Sequence, residues 1–160
     1  PSKTFNIAGL QVSNIIIPNE YLRAKFNMEL EKDHIVRPNA FGECALIASY
    51  DESEEWLDEV MDYIEENKNF FIDYVEKKIP KLKVIKPEGT YLLWVDCSEL
   101  GMSSNKLKDF FINECRVALN HGEMFGEEGK QFQRFNIACP RSILEEALKR
   151  IEEAVNNKAN

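Results

Sequence analysis

The sequence is poor in the residue types that metal centres, disulfide scaffolds and nucleic-acid surfaces require. It has 2 histidines and 4 cysteines in 160 residues, and no two cysteines have C-x-x-C spacing. These features argue against a zinc site and favour free thiols in a reducing, cytoplasmic compartment. Acidic residues outnumber basic residues by 28 to 20, which argues against a nucleic-acid partner, since such proteins need a basic face.

Long hydrophobic runs are also missing. No stretch approaches the roughly 20 apolar residues of a membrane-spanning helix, and no signal-peptide pattern is present. We therefore expect a soluble chain with no membrane partner. Glycine (7 residues) and proline (6 residues) are scarce, whereas 44% of the residues are hydrophobic and 30% are charged. This composition is typical of a globular domain with a sizeable core.

Patterns in the first half of the chain predict one strand and three helices. Residues 12–17 form an apolar, β-branched run ended by proline, which favours a buried strand. Asn19 and Asn39 are each suited to cap a following helix. The longest helix should open at residues 51–53 and end before Pro80, because its apolar residues recur at intervals of three and four.

Patterns in the second half predict a small sheet. Residues 82–86 and 91–96 read as two strands of a hairpin around a Pro-Glu-Gly turn. Further strands are expected at residues 117–119 and 131–139. The alternation in the last strand places Arg134 on one face, together with Phe132, Asn136 and Ala138.

Three local features complete these expectations. Gly9 should permit a tight turn within a loop at residues 1–11. Residues 122–129 contain three glycines and three glutamates, a composition that excludes a phosphate loop and favours a flexible loop. Ser142 and Glu145 match a capping box for the last helix. Together these patterns predict an α+β unit from about residue 50 onward, with helices against a short, mostly antiparallel sheet. The first 50 residues look like the tail of another domain.

Two segments far apart in the sequence carry the chemical information. Residues 2–11 (SKTFNIAGLQ) place Lys3 between two hydroxyl residues, followed by an apolar turn with a glycine. Residues 132–141 (FQRFNIACPR) place Arg134 in the predicted strand. A lysine amine is a nucleophile for carbonyl groups, and an arginine is the planar two-donor partner that a carboxylate prefers.

The first segment resembles the Schiff-base segment of fold-type-I pyridoxal phosphate (PLP) enzymes, and the second resembles the segment in which they hold the substrate carboxylate. The pattern is similar to that of the MalY/PatB group, which are cystathionine β-lyases and cysteine-sulfur lyases related to aminotransferases. The likeness covers nearly all 160 residues but matches only the C-terminal part of such an enzyme. It implies that residues 1–50 end the large PLP-binding domain. Residues 51–160 would then be the C-terminal small domain, including a long interdomain helix and a loop near the active-site mouth.

The resemblance also implies the chemistry. Lys3 would bind PLP and remove the Cα proton of the substrate, and Arg134 would bind the substrate α-carboxylate. The reaction would split cystathionine or a related cysteine thioether into a thiol, pyruvate and ammonia. The full-length enzyme would be a homodimer that acts on a small amino acid and holds no metal. Apart from the resemblance, Arg141 follows Pro140 at a predicted helix start, where a cation gains nothing from the helix dipole, so a structural role is expected.

Two other functions stay open. Many aminotransferases of this fold carry an arginine eight residues after the lysine, bound to the cofactor phosphate, and this chain has Gln11 there. The difference favours a lyase over an aminotransferase of the same fold, which remains the alternative. A regulatory protein-binding module is a further alternative. Most cofactor contacts would lie upstream of Pro1, so the 160 residues alone are predicted to bind PLP poorly and to be inactive.

Overall fold

The chain forms two compact units, Pro1–Met61 and Asp62–Asn160. The computed structural model describes residues 1–35 and 37–158. The boundary between them falls within helix α3 (Glu54–Lys78), the longest helix. The assignment of residues 1–50 and 51–160 to two domains stays a prediction. None of the helices in the described residues is both long and apolar enough to cross a lipid bilayer.

The first unit is built mainly from helices whose starts were predicted from asparagine caps. Helix α1 covers Glu20–Lys32, and the side chain of Asn19 accepts a hydrogen bond of 3.0 Å from the Leu22 amide. Helix α2 covers Ala40–Glu52 and is capped in the same way by Asn39. Each cap satisfies one of the backbone N–H groups that a helix start leaves without a partner. Both cap predictions are confirmed.

The strand predicted at residues 12–17 is wrong. In the described part of the chain this run pairs with no other strand, and no regular element forms there. Ile15 is 60% exposed and Ile16 is 86% exposed. A β-branched run becomes a strand only when a neighbouring strand accepts its backbone hydrogen bonds. The sequence preference is present here, but the described part of the chain supplies no neighbouring strand.

The second unit contains a four-stranded antiparallel sheet, which confirms the predicted α+β class. The strand order is β1-β2-β4-β3, and every neighbouring pair is antiparallel. The strands are β1 (Lys83–Ile85), β2 (Leu92–Asp96), β3 (Asn120–His121) and β4 (Phe132–Asn136). The hairpin expected around the Pro-Glu-Gly turn is the β1–β2 pair.

Helices cover one face of this sheet. They are the second part of α3, α4 (Ser104–Asp109), a π-helical turn that continues it (Phe110–Glu114), and α5 (Arg141–Asn157). Phe135 on β4 faces this core and meets the ring of Phe71 on α3 edge-on, with 5.0 Å between the ring centroids. The fully buried side chains from α5 are Leu148 and Ile151. The alternation along β4 is as predicted, so Arg134 lies on the other face.

The strand predicted at residues 117–119 is also wrong, because β3 begins later, at Asn120. The amide of Val117 is used to close the preceding helical turn, donating to the Phe111 carbonyl at 2.9 Å. Strand pairing starts where Asn120 and His121 come opposite β4. The cross-strand partners, rather than the apolar run, decide where this strand lies.

The start of α5 differs from the predicted capping box. The helix begins at Arg141, directly after Pro140, so Ser142 is already inside it and makes no cap. The Arg141 amide instead donates a 2.7 Å hydrogen bond to the hydroxyl of Tyr63 on α3. A tertiary contact therefore replaces the local cap, which sequence spacing could not reveal.

Candidate active site

Lys3 lies in a tight turn at the start of the first unit. The turn is closed by a 3.0 Å hydrogen bond from the Phe5 amide to the Pro1 carbonyl. The Lys3 side chain is exposed, and its amine has no hydrogen-bond or ion-pair partner among the described residues. The turn thus presents a primary amine that is not engaged elsewhere.

The segment after Lys3 is anchored to helix α2. Asn39 uses both ends of its amide: the oxygen caps α2, and the nitrogen donates a 2.7 Å hydrogen bond to the Leu10 carbonyl. The Phe5 ring packs edge-on against Tyr50, with 5.3 Å between the ring centroids. These contacts tie the lysine turn to helix α2 and so limit the freedom of the turn.

Gly9 lies in a tight turn, as expected, but without a left-handed backbone conformation. It lies in a single 3-10 turn, Ala8–Leu10, and its φ angle is not positive. The left-handed conformations in this segment belong to Asn6 (φ 54°) and Gln11 (φ 51°). Asparagine tolerates this region better than most residues. Gln11 ends the 3-10 turn, and its amide donates to the Ala8 carbonyl.

Arg134 lies on β4, between β2 and β3, in the second unit. It is paired in register with Trp94 on one side and Asn120 on the other. Its Nη2 atom donates a 2.9 Å hydrogen bond to Asn120 Oδ1. Its Nε atom is buried and has no hydrogen-bond partner in the part of the chain that the structure describes. A buried donor without a partner is costly, so an acceptor brought to this nitrogen would stabilise the arginine.

Aromatic rings surround the arginine on this face of the sheet. The guanidinium carbon lies 4.6 Å from the centroid of the Phe125 ring. Phe125 in turn meets Trp94 edge-on at 5.7 Å, and Trp94 stacks on Phe132 at 5.3 Å with an interplanar angle of 9°. The cation is therefore covered on one side by an aromatic ring, an arrangement that lowers its exposure to water and stabilises it.

Phe125 is held in place by a compact segment rather than by the flexible loop expected at residues 122–129. Two 3-10 turns, Gly122–Phe125 and Glu127–Gln131, fold against each other. Gly122 and Gly129 are buried where the two turns cross, and a Cβ atom on either glycine would overlap the backbone of the other. Two of the glycines serve close backbone approach, not phosphate binding.

A chain of hydrogen bonds lies on the opposite face of the β3–β4 pair. His121 Nδ1 is 2.8 Å from Gln133 Nε2, and His121 Nε2 is 2.8 Å from the hydroxyl of Ser104, which donates to Glu123 at 2.6 Å. Since the glutamine nitrogen can only donate, Nδ1 accepts and Nε2 carries the ring hydrogen. Both ring nitrogens are thus occupied, and His121 joins Gln133 on β4 to Ser104 on α4.

These hydrogen bonds also affect the carboxyl group at the end of the series, that of Glu123. Donation from the Ser104 hydroxyl, with smaller contributions from Lys130 and His121, holds the pKa of the Glu123 carboxyl below its usual value. Glu123 is therefore ionised at neutral pH and keeps its place as the final acceptor of the chain.

Sequence reasoning missed Asn67, which fixes the end of β4. Its side chain is fully buried on α3, and its Nδ2 atom donates to the carbonyls of Ile137 and Cys139, each at 2.9 Å. Its Oδ1 atom accepts a 2.6 Å hydrogen bond from Arg141 Nε, so the expected structural role of Arg141 has a contact to support it. The only signal in the sequence was a break in the apolar pattern of α3 near Asn67.

Lys3 and Arg134 belong to different units, so each is placed by its own surroundings. Lys3 has a turn anchored to α2, and Arg134 has a strand anchored to α3 through Asn67. Each has a polar group that the described chain leaves without a partner. The sequence did not reveal three further residues of the second unit: Asn120, Phe125 and Asn67.

Comparison with known proteins gives a consistent result. Residues 1–151 match the family described as aminotransferase class I and II. The chain is 40% identical over 156 residues to the cystathionine β-lyase PatB of Bacillus subtilis (strain 168), and 34% identical over 155 residues to the protein MalY of Escherichia coli (strain K12). These matches cover 98% and 96% of this chain.

A solved structure is similar as well. A PLP-bound protein from Clostridium difficile 630, assigned as an aminotransferase, superposes with a TM-score of 0.95 at 49% identity and covers 98% of this chain. The chain spans only 40% of the length of PatB, of MalY and of the Clostridium protein. The resemblance to the MalY/PatB group is thereby confirmed.

Proposed function

Because this chain belongs to the aminotransferase class I and II family, we propose that it is the C-terminal part of a PLP-dependent carbon–sulfur β-lyase. The full-length enzyme would split cystathionine or a related cysteine thioether, with consumption of one water, into a thiol, pyruvate and ammonia. The similarity to PatB, named as a cystathionine β-lyase, supports the reaction. The PLP bound by the Clostridium protein supports the cofactor.

The residues present fit this cofactor and substrate. Lys3 offers an exposed amine with no partner among the described residues, as covalent attachment of an aldehyde requires. When bound, PLP supplies an electron sink for negative charge that develops at the substrate Cα. Lys3 would hold the cofactor through its Nζ atom.

The same amine has a second task in the reaction. Lys3 Nζ would take the proton from the substrate Cα. Removal of this proton leaves electrons that can expel a thiolate from the β-carbon. Lys3 thus both binds the cofactor and moves the proton.

Arg134 would bind the α-carboxylate of the substrate. The observation that carries the proposal is its buried Nε atom, which has no acceptor in the described chain. A carboxylate accepts two parallel hydrogen bonds from a guanidinium, and the opposite charges strengthen both. Arg134 would therefore orient the amino acid by its carboxylate, and Arg134→Lys should raise KM about 100-fold with a smaller effect on kcat.

Reductive trapping tests the role of Lys3. The full-length protein is incubated with PLP and reduced with borohydride, and the labelled peptide is mapped. Label is expected at Lys3 and is expected to vanish in Lys3→Ala. The matched control is Lys32→Ala, which removes an exposed lysine of α1 that is paired with Glu29 and should leave the label in place.

Other results would contradict the proposal. Label on a different lysine would remove Lys3 from the mechanism, and an intact enzyme that releases no pyruvate from any cysteine thioether is not a β-lyase. The 160 residues alone are expected to take up little PLP and to release no pyruvate, because most cofactor contacts would lie outside them.

An aminotransferase of the same fold is the second candidate, favoured by the assignment of the Clostridium protein. Gln11 argues against it, because this neutral side chain stands where many such enzymes have a phosphate-binding arginine. The products separate the two reactions. A keto acid formed without thiol release would identify an aminotransferase.

We also propose that the full-length enzyme is a cytoplasmic homodimer. All 4 cysteines are free thiols, which supports a reducing compartment. Phe41 is 80% exposed and Ile16 is 86% exposed in the first unit, which supports burial of this surface by further polypeptide. Light scattering of the full-length protein should give twice the mass of one chain; a monomer would contradict the proposal.

A further inference from the structure

Asn120 is the one hydrogen-bond partner that the described chain gives to the Arg134 side chain. It lies on the two-residue strand β3, directly opposite Arg134 in the register of β3 and β4. Its Oδ1 atom accepts from Arg134 Nη2 at 2.9 Å. The backbone pairing thus fixes both side chains on the same face of the sheet, so the contact does not depend on a flexible loop.

The contact restricts how the guanidinium can turn. Asn120 holds Nη2 at one edge, and the Phe125 ring lies 4.6 Å from the guanidinium carbon over one face. The Nε atom stays buried and without a partner among the described residues. Since the guanidinium is planar, fixing one nitrogen and one face also fixes the direction of the remaining N–H groups.

The charge of the partner matters as much as its position. An asparagine oxygen accepts a hydrogen bond without bringing a negative charge, so the full positive charge of Arg134 stays available. An aspartate in the same place would accept the same hydrogen bond but would also pair with the cation. It would then compete with an incoming carboxylate, because like charges near one cation repel each other.

We propose that Asn120 is a positioning residue for Arg134: its neutral amide aims the guanidinium at the α-carboxylate of the substrate and leaves the charge of the arginine uncompensated. This inference rests on the proposed role of Arg134 in carboxylate binding. Asn120 does not touch the reacting atoms and acts only through Arg134.

The test compares two ligands that differ only at the carboxyl group. L-Alanine has no leaving group at its β-carbon, and L-alaninamide has the same amine but no carboxylate charge. Dissociation constants of both are measured by calorimetry on the PLP-loaded full-length protein, for the wild type, Asn120→Asp and Asn120→Ala. The matched control is Asn113→Asp, an exposed asparagine of the same unit.

Asn120→Asp is the informative variant because it preserves shape and the hydrogen-bond acceptor. We expect it to weaken L-alanine binding by about 50-fold, by competition for a charged partner. Asn120→Ala should weaken L-alanine binding by about 5-fold, since only an orienting hydrogen bond is lost. Neither variant should change L-alaninamide binding by more than about 2-fold, and Asn113→Asp should change neither ligand.

Two outcomes for Asn120→Asp would contradict the positioning role of Asn120. A purely structural role predicts that Asn120→Asp binds L-alanine as the wild type does, or that it loses both ligands together, and either result overturns the inference. Arg134→Lys separates the two proposals. If it leaves L-alanine binding unchanged, the role of Arg134 itself fails; if it weakens binding while Asn120→Asp does not, only the role of Asn120 fails.

Discussion

Asn67→Leu should strongly destabilise the second unit. The substitution replaces a fully buried amide on α3 with an apolar side chain of similar size. It removes two hydrogen bonds to the carbonyls of Ile137 and Cys139 and one from Arg141 Nε. These three bonds join α3, the end of β4 and the start of α5, so their loss affects the whole unit.

The size of the effect follows from the burial of each partner. Ile137 is fully buried, so a carbonyl left there without a donor costs about 1–3 kcal/mol. The Cys139 carbonyl is partly buried and costs less. The Arg141 side chain is 29% exposed, so water can replace part of its charge-assisted bond. Together these terms give a loss of about 3 kcal/mol, or a fall in Tm of about 6–12 °C for a protein of this size.

Urea unfolding followed by tryptophan fluorescence measures this loss, because Trp94 lies in the same unit. The matched control is Asn69→Ala, an exposed position on the same helix, which should change the free energy of unfolding by less than about 0.5 kcal/mol. A loss below about 1 kcal/mol for Asn67→Leu would refute the reasoning, since it would mean that the three hydrogen bonds contribute little.

Two further predictions concern packing and pH. Gly129→Ala should cost about 3 kcal/mol or more, because the added methyl group would overlap the Gly122 carbonyl, whereas Gly89→Ala meets no atom within 4 Å and should be nearly neutral in thermal unfolding. Burial and a 2.6 Å hydrogen bond to Glu152 raise the pKa of Tyr74 to about 12. The folded state therefore keeps this tyrosine neutral where the unfolded chain ionises it, so its stabilising effect is complete below about pH 10 and is lost between pH 10 and pH 12. Tyr74→Phe should flatten the dependence of the urea midpoint on pH in this range, and an unchanged slope would contradict the assignment.

Features that depend on local periodicity were predictable. The alternation in β4 placed Phe135 and Arg134 on opposite faces of the strand, and β4 has this arrangement. The caps Asn19 and Asn39 were also visible, since a helix start needs an acceptor within a few residues. Such patterns work because the interactions that produce them join residues close in sequence.

Features that depend on a distant partner were not predictable. The run at residues 12–17 has strand preference but no strand beside it in the described chain. The Ser142–Glu145 spacing fits a capping box, yet Tyr63 supplies the acceptor at the start of α5. In each case the local pattern was real, and a contact from elsewhere in the chain, or the lack of one, decided the outcome.

The candidate site also has features that the sequence predicts and features that only the tertiary structure shows. By itself, the sequence predicted the α+β class, which the structure confirms, and it pointed to two candidate groups, Lys3 and Arg134, whose roles stay predictions, because their segments have distinctive residue patterns. The tertiary structure alone decided the long-range contacts: Asn120, which bonds Arg134, lies 14 positions from it, and Asn67, which holds the backbone after β4, lies 70 positions from Ile137. Hydrogen bonds between residues so far apart produce no periodic pattern in the sequence. The sequence gives the chemical type of each residue, but the partner of that residue is set by the fold.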